Sequence, residues 1–312
     1  MTACLVPSAV LDVGVLGSIN QDTIEHPDGR IQHELGGVLF TACALGYLGG
    51  GALRIWLLAR AHDELACSLR QRLSHVPGLR LDDLFETPNP GYRCRIMYDE
   101  WGGKREVLQG DVAPLTMAEL SPFLPRLQAL VVNFVTGFEL DLETLAAIRG
   151  GVEGPLLMDV HSLTLGRRQD GLRFPRRPSD ADRWLALADV VQMNELEAHI
   201  LGAPADEEGL LDWASLLVER GPRAVIVTRG AAGAVVAGRE ANGRLIRISQ
   251  KAHPVDVAHE IDPTGCGDVF LAALTAATVR GTDLQSAAQM AGRAAASNCL
   301  ITGIDELHRL AP

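Results

Sequence analysis

Lysine is nearly missing from this chain. Only Lys104 and Lys251 occur among 312 residues, beside 26 arginines, and 39 acids bring the formal net charge to −11. An acidic chain without basic blocks has little to offer a nucleic-acid backbone or an anionic bilayer, so neither is an expected partner. No apolar run reaches membrane-spanning length, and no basic stretch followed by an apolar one opens the sequence; the expectation is a cytoplasmic protein. The six cysteines (Cys4, Cys43, Cys67, Cys94, Cys266, Cys299) include no C-x-x-C pair, which argues against a zinc or disulfide framework. The nine histidines show no H-E-x-x-H spacing. There is no G-x-x-x-x-G-K-[ST] run, and the first strand turn lacks G-x-G-x-x-G, which excludes the P-loop and Rossmann fingerprints. Internal repeats and low-complexity segments are absent too.

What is present is an ordinary globular composition, 47% hydrophobic and 21% charged. A chain this long buries roughly 75% of its unfolded surface and needs no staples. Apolar runs predict strands at 11–17, 53–60, 129–135, 156–160, 190–193 and 224–228. Helices are expected between them, at 39–48, 63–73, 116–124, 142–149, 181–187, 195–201 and 210–219, and after them at 269–280 and 284–300. Repeated β-then-α units with near-continuous apolar strands imply an α/β fold with a mostly parallel sheet covered on both faces. The segment 92–98 breaks that rhythm: Tyr92, Cys94, Ile96 and Tyr98 alternate with Arg93, Arg95 and Met97, Gly102-Gly103 turns the chain, and 104–109 returns. With 29–35 it forms either a small β lid over the strand ends or a surface hairpin without a role. The stretch 167–177, basic and proline-containing, reads as an exposed loop.

The stretch that organises the chain is Ile261–Phe270, IDPTGCGDVF. Gly265 and Gly267 bracket Cys266, Asp268 follows, and a long apolar helix begins. The first turn of a helix leaves backbone N–H groups without partners and carries partial positive charge. Glycines let a ligand approach those amides, so the corner is an anion seat suited to a phosphate. Asp268 sits in the same turn, placed to take a proton from a hydroxyl attacking that phosphate. Asn20 and Asp22 lie just past the first strand, either at a ligand crevice or in a turn that satisfies itself. Gly36-Gly37 opens a small-residue helix, for close approach or for packing. Asn194 and Glu197 begin another helix, where acids complement the dipole without any further role.

These segments resemble the ribokinase-like (PfkB) carbohydrate kinases. Asp262, Thr264, Gly265, Cys266, Gly267 and Asp268 match the family's D-x-T-G-A-G-D, with Cys in the alanine place. Gly17, Asn20 and Asp22 match G-x-x-N-x-D, whose acid binds sugar hydroxyls. Gly36 and Gly37 match GG-x-x-x-N, with Thr41 replacing the sugar-contacting Asn. Asn194 and Glu197 match N-x-x-E, which orders Mg2+ and phosphate through water. Thr228, Gly230 and Gly233 match T-x-G-x-x-G, which lies along ATP. At Asp159 relatives often read D-x-N; here His161 replaces the Asn and receives no role. The resemblance implies one ribokinase-like three-layer α/β domain over 1–312, with a lid from roughly 22–37 and 90–110 that often mediates a homodimer. It implies transfer of the γ-phosphate of ATP to a small polyhydroxylated substrate (a sugar, sugar acid, cyclitol or nucleoside), with Asp268 as base and the Gly265, Cys266 and Gly267 amides as anion hole. By the same resemblance, Asp262 helps seat a monovalent cation such as K+, and the helix 284–300 walls the adenine pocket, although core packing accounts for most of its residues.

Three other readings compete. Asp262-Pro263-Thr264-Gly265 echoes the D-x-T-G nucleophile of haloacid dehalogenase-type phosphatases, which place it after an early strand and not near the C-terminus. Cys266 as a nucleophile lacks an assignable His partner. A catalytically silent sugar- or nucleotide-binding regulator of the same fold would have little use for Asp268 between its glycines.

Overall fold

Strands that are apolar on both sides need cover on both sides, and the computed structural model of the chain supplies it. It describes residues 10–101, 103–240, 242–255 and 261–310; Cys4 and Gly102 of the expected hairpin turn lie outside them. The central sheet runs in the order Leu245–Gln250, Ala234–Arg239, Ala224–Thr228, Val190–Asn194, Leu156–Asp159, Ala129–Asn133, Leu11–Leu16, Leu53–Leu58, Leu79–Arg80. It is parallel from Leu79–Arg80 through Ala224–Thr228, and the two remaining edge strands are antiparallel. Those two strands were not expected from the sequence.

Alternate residues of each strand feed separate cores. Val13, Val15, Ile55 and Val131 pack with helices Val38–Gly49, Asp63–Arg72, Cys266–Val279 and Leu284–Asn298. Leu16, Leu58, Leu130 and Val132 pack with Leu142–Gly151, Ala181–Ala186, Glu195–Leu201 and Glu207–Arg220 on the other face. The result is the expected three-layer α/β sandwich. Helix Cys266–Val279 is buried on every side from Val269 to Ala277, the mark of a core helix. Burying each of its large apolar side chains contributes about 1.5–3 kcal/mol, so the turn at its mouth stands on a firm base. The first strand, Leu11–Leu16, has Leu53–Leu58 on one side and Ala129–Asn133 on the other. The winding diverges there, and a crevice opens at the carboxyl ends of these strands.

A second sheet overhangs that crevice, in the order Ile31–Gly37, Ile19–Glu25, Tyr92–Tyr98, Lys104–Gln109. The hairpin alternates as read: Tyr92 and Cys94 are buried, Arg93 and Arg95 exposed. Ile19–Glu25 removes one of the two readings left open for Asn20 and Asp22: the segment is not a turn that satisfies itself but a strand, antiparallel to Ile31–Gly37 and parallel to Tyr92–Tyr98. Two corrections follow from local chemistry. The helix expected at 116–124 shrinks to Met117–Leu120 plus a 3-10 turn at Leu124–Arg126, because Pro122 and Pro125 withdraw amide donors and restrict the residues before them. The expected exposed loop 167–177 contains a short antiparallel pair, Leu165–Arg167 with Arg173–Pro175, and Arg173 is only 9% exposed.

Candidate active site

A cavity of about 580 Å³ runs from beneath the small sheet to the end of strand Ala224–Thr228, passing the mouth of helix Cys266–Val279. Gly265 begins that helix at φ 75°, and a Cβ there would lie 2.4 Å from the Phe40 ring, so only glycine fits. A Cβ on Gly267 would meet nothing nearer than Gln192 Nε2 at 3.9 Å, which leaves that backbone open to the cavity. Val269 N–H makes the first intrahelical bond, to Gly265 O (2.9 Å). The Cys266 amide, expected in the anion hole, instead donates to Pro263 O (3.2 Å) and closes the turn; the Gly265 and Gly267 amides are the better donors. The Cys266 thiol faces Cys299 Sγ and Asn298 Nδ2, each at 3.4 Å. Burial pushes that thiol up to about 12, the reverse of what a nucleophile requires.

Asp268 lines the cavity. Its Oδ1 accepts from Thr41 Oγ1 (2.9 Å) and from Asn133 Nδ2 (2.6 Å), and Asn133 also donates to Thr41 Oγ1 (3.1 Å). Thr41 and Asn133 are fully buried. Thr41, expected against the substrate, therefore stands behind Asp268: one turn into its helix it points toward Asn133 at the end of strand Ala129–Asn133. Burial raises the Asp268 carboxyl above the usual range, while His161 and the bonds from Thr41 and Asn133 oppose the shift.

Beneath the small sheet the polar groups are unsatisfied. Asn20 Oδ1 and Asp22 Oδ1 are buried without hydrogen-bond partners. Burial first, then the charges of Glu106 and Glu34, lifts Asp22 to about 7. A Cβ on Gly36 would sit 2.3 Å from Asp22 Oδ2, so the bare glycine is what admits that carboxylate. Gly37, at φ 65°, brings its backbone against Ser18 O. Lys104 and Glu106, paired with each other, reach in from the hairpin.

At the other end Asn194 and Glu197 satisfy one another, although Gln192 Oε1 on the same strand has no partner among the described residues. Asn194 caps Glu195–Leu201 by accepting from Glu197 N (2.9 Å), and Glu197 returns both oxygens to Asn194, at its amide (2.8 Å) and Nδ2 (2.5 Å). His161 Nδ1 approaches Glu197 Oε1 to 3.5 Å. Burial would lower the His161 pKa, but the Glu197 bond and the charges of Glu197, Asp159 and Asp268 outweigh it and carry the ring to about 9. Thr228 and Gly230 line the cavity; Gly233 does not, and serves the turn into Ala234–Arg239, where a Cβ would meet Gln250 O at 2.0 Å. Asp262 also stays outside the lining, and its Oδ1 accepts from Thr264 N (2.9 Å), so the acid caps its own turn. Among the described residues no cluster of three or more His, Cys, Asp or Glu side chains is arranged to hold a metal.

Residues 168–306 match the model of the pfkB family carbohydrate kinases. Solved ribokinase-family proteins share the whole architecture: a pyrophosphate-dependent kinase in its sulfate complex has a TM-score of 0.76 at 17% identity, covering 94% of this chain and 96% of its own. The Arabidopsis thaliana ribokinase complexed with ribose and ATP has a TM-score of 0.71 at 18% identity, covering 97% and 100%. The chain has the fold of these ribokinase-family proteins, and over residues 168–306 it resembles the PfkB carbohydrate kinases. Among curated relatives it is 26% identical over 265 residues to the bifunctional protein HldE of Granulibacter bethesdensis, spanning 84% of this chain and about half (52%) of that protein. It is 23% identical to the cytidine kinase of Thermococcus kodakarensis, spanning 90% and 93%.

Along this cavity the structure gathers Asn20, Asp22, Gly37, Asn194, Glu197, Thr228, Gly230 and Gly265–Asp268; Gly36, Thr41, Gly233 and Asp262 do not line it. Sequence reasoning missed Asn133 and Arg173 and gave no role to His161. For Asn133 a signal existed: it is the polar terminus of an otherwise apolar strand, ALVVN. No helix among the described residues is long and apolar enough to cross a membrane.

Proposed function

We propose that the protein transfers the γ-phosphate of ATP to a hydroxyl of a small polyhydroxylated molecule. The observation that carries this reading is the Asp268 carboxylate, held at a helix mouth by Thr41 and Asn133 in the same cavity as the unsatisfied acceptors of Asn20 and Asp22. Those acceptors suit hydroxyl donors of the substrate, and the small sheet above them acts as a lid. Asp268, its pKa raised by burial, takes the proton of the attacking hydroxyl as the new O–P bond forms and ADP leaves. The Gly265 and Gly267 amides, with the positive end of the helix, stabilise charge growing on the transferred group. Most of the acceleration comes from positioning and electrostatics.

Mg2+ fits the acids at the ATP end. Burial and then the Glu197 charge lift Asp159 well above the carboxylate range, and crowded oxygen acids suit a hydrated hard cation. Asp159 and Glu197 would hold it through water, and bound there it would screen the phosphate oxygens. Asp268→Asn tests the reading: ATP-dependent phosphorylation should fall by about 10²–10⁴-fold with substrate affinity nearly unchanged. Normal turnover of that variant in a coupled ADP-release assay would remove Asp268 as the base.

A further inference from the structure

Arg173 stands apart from the other cavity residues. It enters from the short strand Arg173–Pro175 and is 9% exposed. Its Nη2 donates to Thr136 O (2.8 Å), Ser162 O (3.4 Å) and Leu165 O (3.5 Å), which fixes the guanidinium plane, and Phe138 packs 5.5 Å from its Cζ. Its Nη1 is buried and, among the described residues, has no hydrogen-bond partner. Among the same residues no ion pair joins Arg173 to a carboxylate: the charges of Glu106 and Glu139 act on it without contact, and Glu106 is taken by Lys104. Burial holds the guanidinium below its ordinary pKa, the direction expected of a cation short of neutralising charge, though it stays protonated at any working pH. An unpaired buried cation is among the costlier features a fold can carry, and this one lines the cavity together with Asn20 and Asp22.

Of the four unsatisfied groups along the cavity, Gln192 Oε1 lies on strand Val190–Asn194, and the three beneath the small sheet describe a ligand. Asn20 Oδ1 and Asp22 Oδ1 call for hydroxyl donors, whereas Arg173 Nη1, a charged donor, calls for an acceptor with negative charge. A neutral hexose satisfies the first two and leaves the guanidinium uncompensated. We propose that the molecule bound beside Asp22 carries an anionic group, a carboxylate or a phosphate ester, in addition to its hydroxyls, and that Arg173 grips that group. This deepens the kinase reading above and rests on it only in calling that molecule the phosphoryl acceptor.

The test uses matched sets: glucose with gluconate and glucose 6-phosphate, and ribose with ribonate and ribose 5-phosphate. Each is scored for binding to the intact protein by calorimetry without ATP, then for ATP-dependent phosphorylation. At least one anionic member should bind about ten- to a hundredfold more tightly than its neutral parent, the range for a charge-assisted bond made in a desolvated site. Whether the carboxylates or the phosphate esters gain identifies the anion. Arg173→Met should erase the preference, and Arg173→Lys, which keeps the cation without the fork, should retain part of it. Should Arg173→Met fail to fold because Nη2 holds three carbonyls, the wild-type ratio and the Lys variant still decide. Neutral parents binding as well as the acids, no member binding, or a preference unmoved by Arg173 substitution would each overturn the proposal. An Arg173-dependent preference without phosphate transfer would uphold it and sink the kinase reading instead.

Discussion

The two ends of the cavity handle polarity in opposite ways. Beneath the small sheet, Asn20, Asp22 and Arg173 each keep a buried polar atom without a partner. At the far end Asn194 and Glu197 consume each other's hydrogen-bonding capacity in a capping box, and Arg229 is held by Glu195 and Glu207. A site that rejects wrong partners does so by leaving groups that only the right ligand satisfies. On the proposed reading the first end is the one able to discriminate. The second is finished before any ligand arrives, its helix start already closed by the capping box.

Substitutions that break this contrast should rank accordingly. Loss of Asp268, the proposed base, should cost most. Next comes Asp22→Asn, expected to raise the acceptor KM by about ten- to a hundredfold with a smaller change in kcat. With Asp22 lifted to about 7, wild-type kcat/KM should decline as pH falls through that value, and a pH profile of Asp22→Asn should lack this limb. The stability sign runs the other way. A carboxyl whose folded pKa lies above its unfolded 3.8 favours folding at low pH and opposes it once both states are ionised, above about 7. Asp22→Asn should therefore melt a few degrees higher than wild type at pH 8 and no higher at pH 4. Asn194→Ala, at the finished end, should remove about 1 kcal/mol of helix capping and raise the ATP KM only a few-fold; a loss as deep as that of Asp22→Asn would erase the contrast. Smallest is Cys266→Ala, for which turnover should stay within about twofold, because its amide already closes the turn and its thiol faces Cys299.

What sequence could show follows the same division. Apolar strands and the Gly265–Asp268 corner are local patterns: burial on two faces and a glycine-bracketed helix start leave their mark within ten residues. Ile19–Glu25 was obscured because its polar residues face a cavity, where a strand ordinarily shows apolar alternation. Arg173 was read as solvated because its partners, Thr136 O and Ser162 O, are 37 and 11 residues away. Thr41 was aimed correctly at the site but on the wrong side of the wall. Its hydroxyl meets a carboxylate 227 positions later, and only the packing of two helices decides which of them faces the ligand.

That last bond joins with the one from Asn133 to make a three-way fastening between the early helix, the mid-chain strand and the late helix. The Asp268 carboxylate, the proposed base, is thus aligned only once distant portions of the polypeptide have met. A chain in which these three segments are still apart would leave that carboxylate unaimed.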